Sequence, residues 1–424
     1  MGRSFFVETL GCPKNQVDSD KLVGQLLADG MVATLEAGDA DLVVVNTCAF
    51  VEEARQESID AILSLAGARR DGARLVVTGC LAERSGAELA EAIPEIDAVA
   101  GFAQSVAVSL GRKPSPSTSA LDLLHLPRPA PTAPWAYVKI AEGCDRACGF
   151  CAIPTFRGPQ RSRSIDDLLT EVESLASGGV QEIVLVAQDL AAYGRDQGVG
   201  ERAVVPLVEA VAAVVPWVRL LYVYPIDLTD ELERVLCEVA VPYVDLSLQH
   251  VSQPLLRRMR RWGDGERFGA RIESIRAQRP EAAFRSNFIV GYPGETEDDH
   301  DELLAFVAHA RLDWCGFFAF SEEAGTYAAG LDAKVPAGLV RERLAELSEL
   351  QDRITAAKRD ELVGSRVQVL VDAPGVGRSH REAPEIDGVI TVPPALAAGR
   401  FHEVELTAAL GPDLEAVAVE EALR

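Results

Sequence analysis

Cys144, Cys148 and Cys151 lie in one short loop, Glu142-Gly-Cys-Asp-Arg-Ala-Cys-Gly-Phe-Cys. The spacing Cys-x3-Cys-x2-Cys offers three thiolates to a single site, and no fourth cysteine or histidine is nearby. Iron–sulfur clusters are held by cysteine thiolates, usually four of them. Three from one loop therefore imply a cubane with one iron left open, which is what a cluster needs if it is to do chemistry on a bound molecule. Zinc also takes thiolates, but a structural zinc site closes with four ligands. None of His125, His250, His300, His309, His380 and His402 sits at a ligand spacing from this loop. Eight cysteines in 424 residues is also far from the density of small disulfide-stapled domains.

The elements that position this loop follow from the pattern of apolar runs. Upstream, residues 4–9, 42–46 and 75–78 read as buried strands alternating with helical segments, the mark of an open α/β sheet. Each is followed within a few residues by a cysteine: Cys12, Cys48 and Cys80. Ligand crevices of parallel α/β sheets lie outside the carboxyl ends of the strands, so these three thiols are expected to converge although they are distant in sequence. A lone buried cysteine is usually a small apolar side chain; three at equivalent strand ends point to a second three-thiolate metal site. Cys237 and Cys315 remain, both in apolar contexts, and read as packing residues.

Around and beyond the Cys144 loop the chain repeats strand, loop and helix, with strands expected at 137–140, 182–187, 220–224, 244–248 and 285–290. Ser164 caps a helix that Gly178 and Gly179 end. Several βα units in this length predict a barrel, incomplete in its strand count, whose active site gathers at the carboxyl ends of the strands. The cysteine loop, Gln188-Asp189, Tyr224-Pro225, Gln249-His250 and Gly291-Tyr-Pro-Gly294 all fall there. Thr296 reads as the cap of the following helix. The one G-x-G-x-x-A match, Gly198 to Ala203, follows a polar loop instead of a strand and is rejected as a dinucleotide fingerprint.

The expected organisation is α/β: an open α/β domain over residues 1–112, a Pro/Ser-rich linker over 113–134, a partial (β/α) barrel over 135–360, and a small all-β barrel or sandwich over 361–424. Strands in the last are expected at 367–371, 388–392, 401–406 and 416–419. The tail has no lysine, and its acids outnumber its arginines about two to one. The whole chain carries a formal charge of −24, which argues against nucleic acid as the main substrate and suits a basic protein partner. The start of the chain does not read as a signal peptide. The most apolar window, residues 207–223, is interrupted by Glu209, Pro216 and Arg219 and will not span a bilayer. Reduced cysteines without an export signal place the protein in the cytoplasm.

The Glu142-Gly-Cys-x3-Cys-x2-Cys run resembles the signature of radical S-adenosylmethionine (SAM) enzymes. Gly11-Cys-Pro-Lys-Asn-Gln-Val-Asp-Ser19, Asn46-Thr-Cys48, Thr78-Gly-Cys80 and Cys151-Ala-Ile-Pro-Thr-Phe-Arg-Gly158 narrow the resemblance to the methylthiotransferases, three-domain enzymes that end in a TRAM domain. Phe156-Arg-Gly-Pro-Gln-Arg-Ser-Arg163 and Gly377-Arg-Ser-His-Arg-Glu-Ala-Pro-Glu-Ile-Asp-Gly388 are most similar to the RimO branch, which methylthiolates an aspartate β-carbon of the twelfth small-subunit ribosomal protein. The resemblance implies two [4Fe-4S] clusters. One, on Cys144, Cys148 and Cys151, binds SAM at its open iron and yields a 5′-deoxyadenosyl radical. The other, on Cys12, Cys48 and Cys80, binds or supplies sulfur, and a further SAM contributes the methyl group. No side-chain acid or base is implied as catalyst. Implied partners are the ribosomal protein, a low-potential electron donor of flavodoxin or ferredoxin type, and a sulfur donor. Gly149 departs from the family pattern, which often has threonine there, and the Pro/Ser-rich linker is longer than usual. Two readings stand beside this one: a tRNA adenosine methylthiotransferase of the same superfamily, and a non-catalytic two-cluster iron–sulfur protein. The tail's acidic balance and the 377–388 motif argue against the first.

Overall fold

The computed structural model describes residues 3–101, 123–198 and 203–419. Residues 113–122 of the expected linker and most of the Gly198 to Ala203 match lie outside the described residues.

The first unit is a parallel sheet of β1 (Ser4–Thr9), β2 (Val32–Ala33), β3 (Leu42–Thr47), β4 (Arg74–Gly79) and β5 (Ala98–Val99), in the order β2-β1-β3-β4-β5. Its central strands are apolar on both sides because both faces are covered. Phe5, Leu42, Val44 and Val76 pack on Leu22 and Leu26 of helix α1 (Pro13–Ala28). Val43, Val45, Leu75 and Val77 pack on Ile62 of α2 (Glu52–Ala68) and on Leu81 and Leu89 of α3 (Cys80–Ala92). The strands that precede Cys12, Cys48 and Cys80 are β1, β3 and β4, immediate neighbours in parallel register, so their carboxyl ends are side by side.

The second unit has six parallel strands: β6 (Trp135–Lys139), β9 (Glu182–Val186), β10 (Trp217–Leu220), β11 (Tyr243–Gln249), β12 (Ala283–Val290) and β13 (Trp314–Ala319). Two three-stranded parallel sheets, β10-β9-β6 and β11-β12-β13, meet through the single parallel bridge Val223–Leu246. The result is an open barrel. Between β6 and β9 a two-stranded antiparallel pair, β7 (Ala141–Glu142) and β8 (Arg161–Ser162), closes the base of the cysteine loop. The strand expected at 220–224 is displaced: β10 ends at Leu220, and Tyr222 takes φ +67°, a left-handed conformation that no strand continues through. Ser164 accepts the Asp167 N–H, and Thr296 and Asp299 form a capping box, as the sequence signals require.

The tail is a closed barrel of β14 (Arg366–Ala373), β15 (Val376–Arg378), β16 (Ile390–Thr391), β17 (Phe401–Leu410) and β18 (Asp413–Ala418), filled by Val369, Val371, Ile390, Val404, Leu406 and Leu414. The 377–388 motif does not lie on its surface. It plugs the floor of the large barrel, where Tyr137, Trp217, Tyr243, Ala283 and Trp314, at or near the first positions of their strands, pack with Leu370 and Ala383. The Tyr137 hydroxyl donates to the Pro384 carbonyl (2.6 Å), that of Tyr243 to Asp387 (2.6 Å), and the Trp314 indole N–H to the Arg381 carbonyl (2.8 Å). Glu182, fully buried, accepts from Arg219 (2.7 Å) and from Arg378 (2.8 Å), which itself forks onto Asp372. Packing and charge thus fix the small barrel to the amino-terminal end of the large one.

Candidate metal centres

Cys144, Cys148 and Cys151 sit at the carboxyl end of the open barrel, on the loop that leaves β7. Gly143, at φ +79°, has no room for a side chain, since a Cβ would stand 2.1 Å from the Pro159 carbonyl oxygen. The Cys144 N–H then donates to the Gly158 carbonyl (3.1 Å). At the far end of the loop the Gly149 N–H donates to Met259, and the Gly149 carbonyl accepts from Ala328, both at 2.8 Å. A Cβ at 149 would meet the Tyr292 hydroxyl at 2.8 Å and Tyr327 at 3.1 Å, so in this chain two tyrosines take up the space that a larger residue would need.

The thiols have nearby cations and N–H donors. The Arg146 N–H points at Cys144 Sγ (3.4 Å) and Arg261 Nη1 at Cys148 Sγ (3.4 Å). Both guanidiniums lie 4.1 Å from the ring centroid of Tyr224, and Arg146 is held by Asp189 (2.5 Å) and Asp227. Burial pushes the Cys144 thiol up to about 11, with Asp189 and Cys148 adding to it and the Arg146 N–H opposing. Burial raises Cys151 to about 12, reinforced by Cys148 and Cys144. Without a metal these are reluctant acids, and coordination is what turns them into thiolates.

Cys12, Cys48 and Cys80 converge as the sheet order requires. Cys12 immediately precedes α1, Cys48 follows β3, and Cys80 opens α3. Asn15, fully buried, ties the first two turns together: its amide donates to the carbonyls of Leu10 (2.9 Å) and Thr47 (3.0 Å). Ser58 clamps the Cys48 backbone, accepting its N–H and standing 3.0 Å from its carbonyl. Burial raises Cys80 and takes Cys48 to about 12, and the Cys12 charge pushes both further. Burial also pushes Cys12 up, but Lys14, Arg157 and the N–H groups of Asn15 and Lys14 outweigh it and leave this thiol below its ordinary value. Among the described residues no three His, Cys, Asp or Glu side chains close around the position of a single ion. A cubane is several atoms wide and holds its thiolates farther apart than one ion does, so two trios of neighbouring thiols fit a cluster by donor type and number.

A buried charge network, to which sequence reasoning assigned no role, joins the two trios. Lys139, at the end of β6, bridges Asp18 of α1 and Glu142 (2.5 Å) of the cysteine loop. Arg157, on the short helix α4 (Ile153–Arg157) that follows Cys151, reaches the same two carboxylates and also Asn15 and Cys80. Gln188 at the end of β9 donates to Glu142 (2.8 Å). The signal was present in the sequence as a lysine closing the apolar strand Trp-Ala-Tyr-Val-Lys139 and as a glutamate and an arginine inside the cysteine motif. Cys237 is buried on the helix Asp230–Glu238 and Cys315 is half-buried on β13, both packed with the core of the large barrel.

Comparison with known proteins gives three family matches along the chain: an uncharacterized protein family, UPF0004, over residues 4–101, the radical SAM superfamily over 138–307, and a TRAM domain over 363–419. The chain is 42% identical to the ribosomal protein uS12 methylthiotransferase RimO of Myxococcus xanthus, over 99% of this chain and 92% of that protein. It is 44% identical to the RimO of Moorella thermoacetica, over 91% and 92%. Among solved structures, the radical SAM methyltransferase TsrM of Kitasatospora setae, determined with cobalamin and a [4Fe-4S] cluster bound, superposes with a TM-score of 0.55 at 13% identity, covering 94% of this chain and 84% of that one.

Proposed function

Because the chain belongs to the RimO family of ribosomal protein uS12 methylthiotransferases, we propose that its two thiol trios hold two [4Fe-4S] clusters with separate tasks in methylthiolating the β-carbon of an aspartate. The enzyme is a radical SAM methylthiotransferase, and its substrate is the ribosomal protein uS12. Cys144, Cys148 and Cys151 would ligate the cluster that binds SAM, and Cys12, Cys48 and Cys80 the one that handles sulfur. The chemistry supplied by the bound cofactors is removal of hydrogen from an unactivated C–H bond and delivery of sulfur and a methyl group, tasks outside the range of acid–base side chains.

The chain's own residues supply placement. Gly143 and Gly149 hold the first loop against the barrel mouth, Arg146 and Arg261 put positive charge beside its thiols, and Asn15 and Ser58 fix the turns of the second trio. The observation that carries the reading is the convergence of three thiols from adjacent strand ends beside a second trio at the mouth of an open barrel, with one buried charge network touching both. A low-potential donor of flavodoxin or ferredoxin type and a sulfur donor complete the reaction, in the cytoplasm. No helix among the described residues is long and apolar enough to cross a membrane.

The test is anaerobic reconstitution, an iron count per chain, and assay with SAM and uS12. About eight irons and methylthio-aspartate in the protein are the expected results. Product in tRNA and none in uS12, or about four irons, refutes the assignment.

A further inference from the structure

We propose that Arg157 is a positioning residue for the second cluster: carried on the helix that leaves the first cysteine loop, it hydrogen-bonds a ligand sulfur of the other trio and sets that site's reduction potential. The inference rests on the reading of Cys12, Cys48 and Cys80 as cluster ligands. Arg157 lies six residues after Cys151 in sequence, yet its Nη2 stands 3.0 Å from Cys80 Sγ and 2.7 Å from Asn15 Oδ1. Its other amino group faces Asp18 (3.0 Å) and Glu142 (2.9 and 3.1 Å). The Asn15 amide is oriented by the two carbonyls its nitrogen serves, so its oxygen is fixed toward the guanidinium. Only a planar fork can satisfy two carboxylates on one side and an amide oxygen and a sulfur on the other.

Charge balance gives the direction of the effect. Lys139 already bridges Asp18 and Glu142, and with Arg157 the four groups sum to zero. Remove Arg157 and two carboxylates face one ammonium beside Cys80, while the sulfur loses its N–H donor. Hydrogen bonds to the sulfurs and nearby charge both tune cluster potentials. Reduction adds negative charge, so the loss makes it harder.

The experiment uses the full chain with Cys144→Ala, Cys148→Ala and Cys151→Ala, in which only the second site loads, reconstituted without oxygen and titrated electrochemically with electron paramagnetic resonance as readout. We expect Arg157→Gln to make the cluster at least tenfold harder to reduce, a midpoint about 59 mV lower for one electron. Arg157→Lys, which keeps the charge and loses the fork, should fall between. In the reverse background, Cys12→Ala, Cys48→Ala and Cys80→Ala, Arg157→Gln should shift the remaining cluster less. Iron present with unmoved midpoints, or an equal shift in both backgrounds, overturns this inference alone. Folded variants that both fail to load iron make Arg157 an assembly residue and also overturn it. Absence of iron from the parent removes the second-cluster reading, and this inference with it.

Discussion

His250 follows β11 and is fully buried. Its Nδ1 accepts the Ser252 N–H at 3.1 Å, so the ring is neutral with its proton on Nε2, which has no partner among the described residues. Charging the ring would put a proton where that N–H already points. Burial lowers its pKa to about 4, with Asp299 opposing and His300 and Arg343 adding to the effect. In the unfolded chain the same ring titrates at the ordinary 6.5. Below that value the unfolded state binds a proton that the folded state refuses. Stability is therefore full above pH 6.5, falls as pH drops from 6.5 toward 4, and is level below that. Linkage over this window predicts a loss of about 2 kcal/mol between pH 7 and pH 5 from this one side chain. His250→Asn retains an acceptor near the Nδ1 position and does not titrate. All four tryptophans, Trp135, Trp217, Trp262 and Trp314, lie in the large barrel and its loops, so intrinsic fluorescence reports the unfolding of this unit. Measured on metal-free protein in urea at pH 7 and pH 5, the original chain should lose about 2 kcal/mol more than the variant. Other groups cancel in that difference. Equal losses in the two proteins would refute the reasoning.

Cys48→Ala should reduce iron to about four per chain, abolish methylthio transfer and leave some SAM cleavage, read as 5′-deoxyadenosine; loss of both activities would mean the two sites depend on each other. Gly79, at φ +92°, has the Asn46 side-chain oxygen 2.3 Å and the Thr47 carbonyl 2.5 Å from a built Cβ, so Gly79→Ala should displace Cys80 and selectively reduce iron at the second trio, visible as loss of one of two cluster signals. Glu182→Gln leaves Arg219 and Arg378 buried without a carboxylate between them; the expected cost is about 3–5 kcal/mol, seen as a lower unfolding midpoint and as faster proteolysis between the two barrels.

The α/β architecture and the second trio were legible because their signals are local. Continuous Val and Leu runs mark strands covered on both faces, and a cysteine just after each of three such runs needs only parallel order to converge; β1, β3 and β4 are neighbours, and it does. The 220–224 strand was misplaced because the run is equally apolar on either side of Leu220, and what ends the strand is the left-handed turn at Tyr222, which no residue type announces. β13 went unread as a strand because its sequence, Trp-Cys-Gly-Phe-Phe-Ala, gives only an unbroken apolar run without alternation. The Lys139–Asp18–Glu142–Arg157 network left only a faint signal in the sequence, for a different reason. Its members are separated by up to 139 residues, and single charged residues in a sequence look like solvated ones until the fold buries them.

The 377–388 motif was read as a marker of the branch, and the structure gives it a place in the fold as well. Its similarity to the RimO branch, taken with the acidic tail, argued against a tRNA substrate. In the structure Arg378, Ser379, Glu382 and Ala383 are buried, and of the whole motif only Glu385 is exposed. Its carbonyls and charges are consumed by Tyr137, Tyr243, Trp314, Arg219 and Arg359 at the floor of the barrel. The loop of Cys144, Cys148 and Cys151 is at the opposite, carboxyl end of the large barrel. Most of the segment's polar groups are therefore engaged by the barrel floor, with Glu385 left at the surface. At the thiol end, Phe50, two residues after Cys48, and Tyr327, against Arg260 and the Gly149 turn, remain exposed. What the motif does in this fold is hold the small barrel against the floor of the large one, through Tyr137, Tyr243 and Trp314.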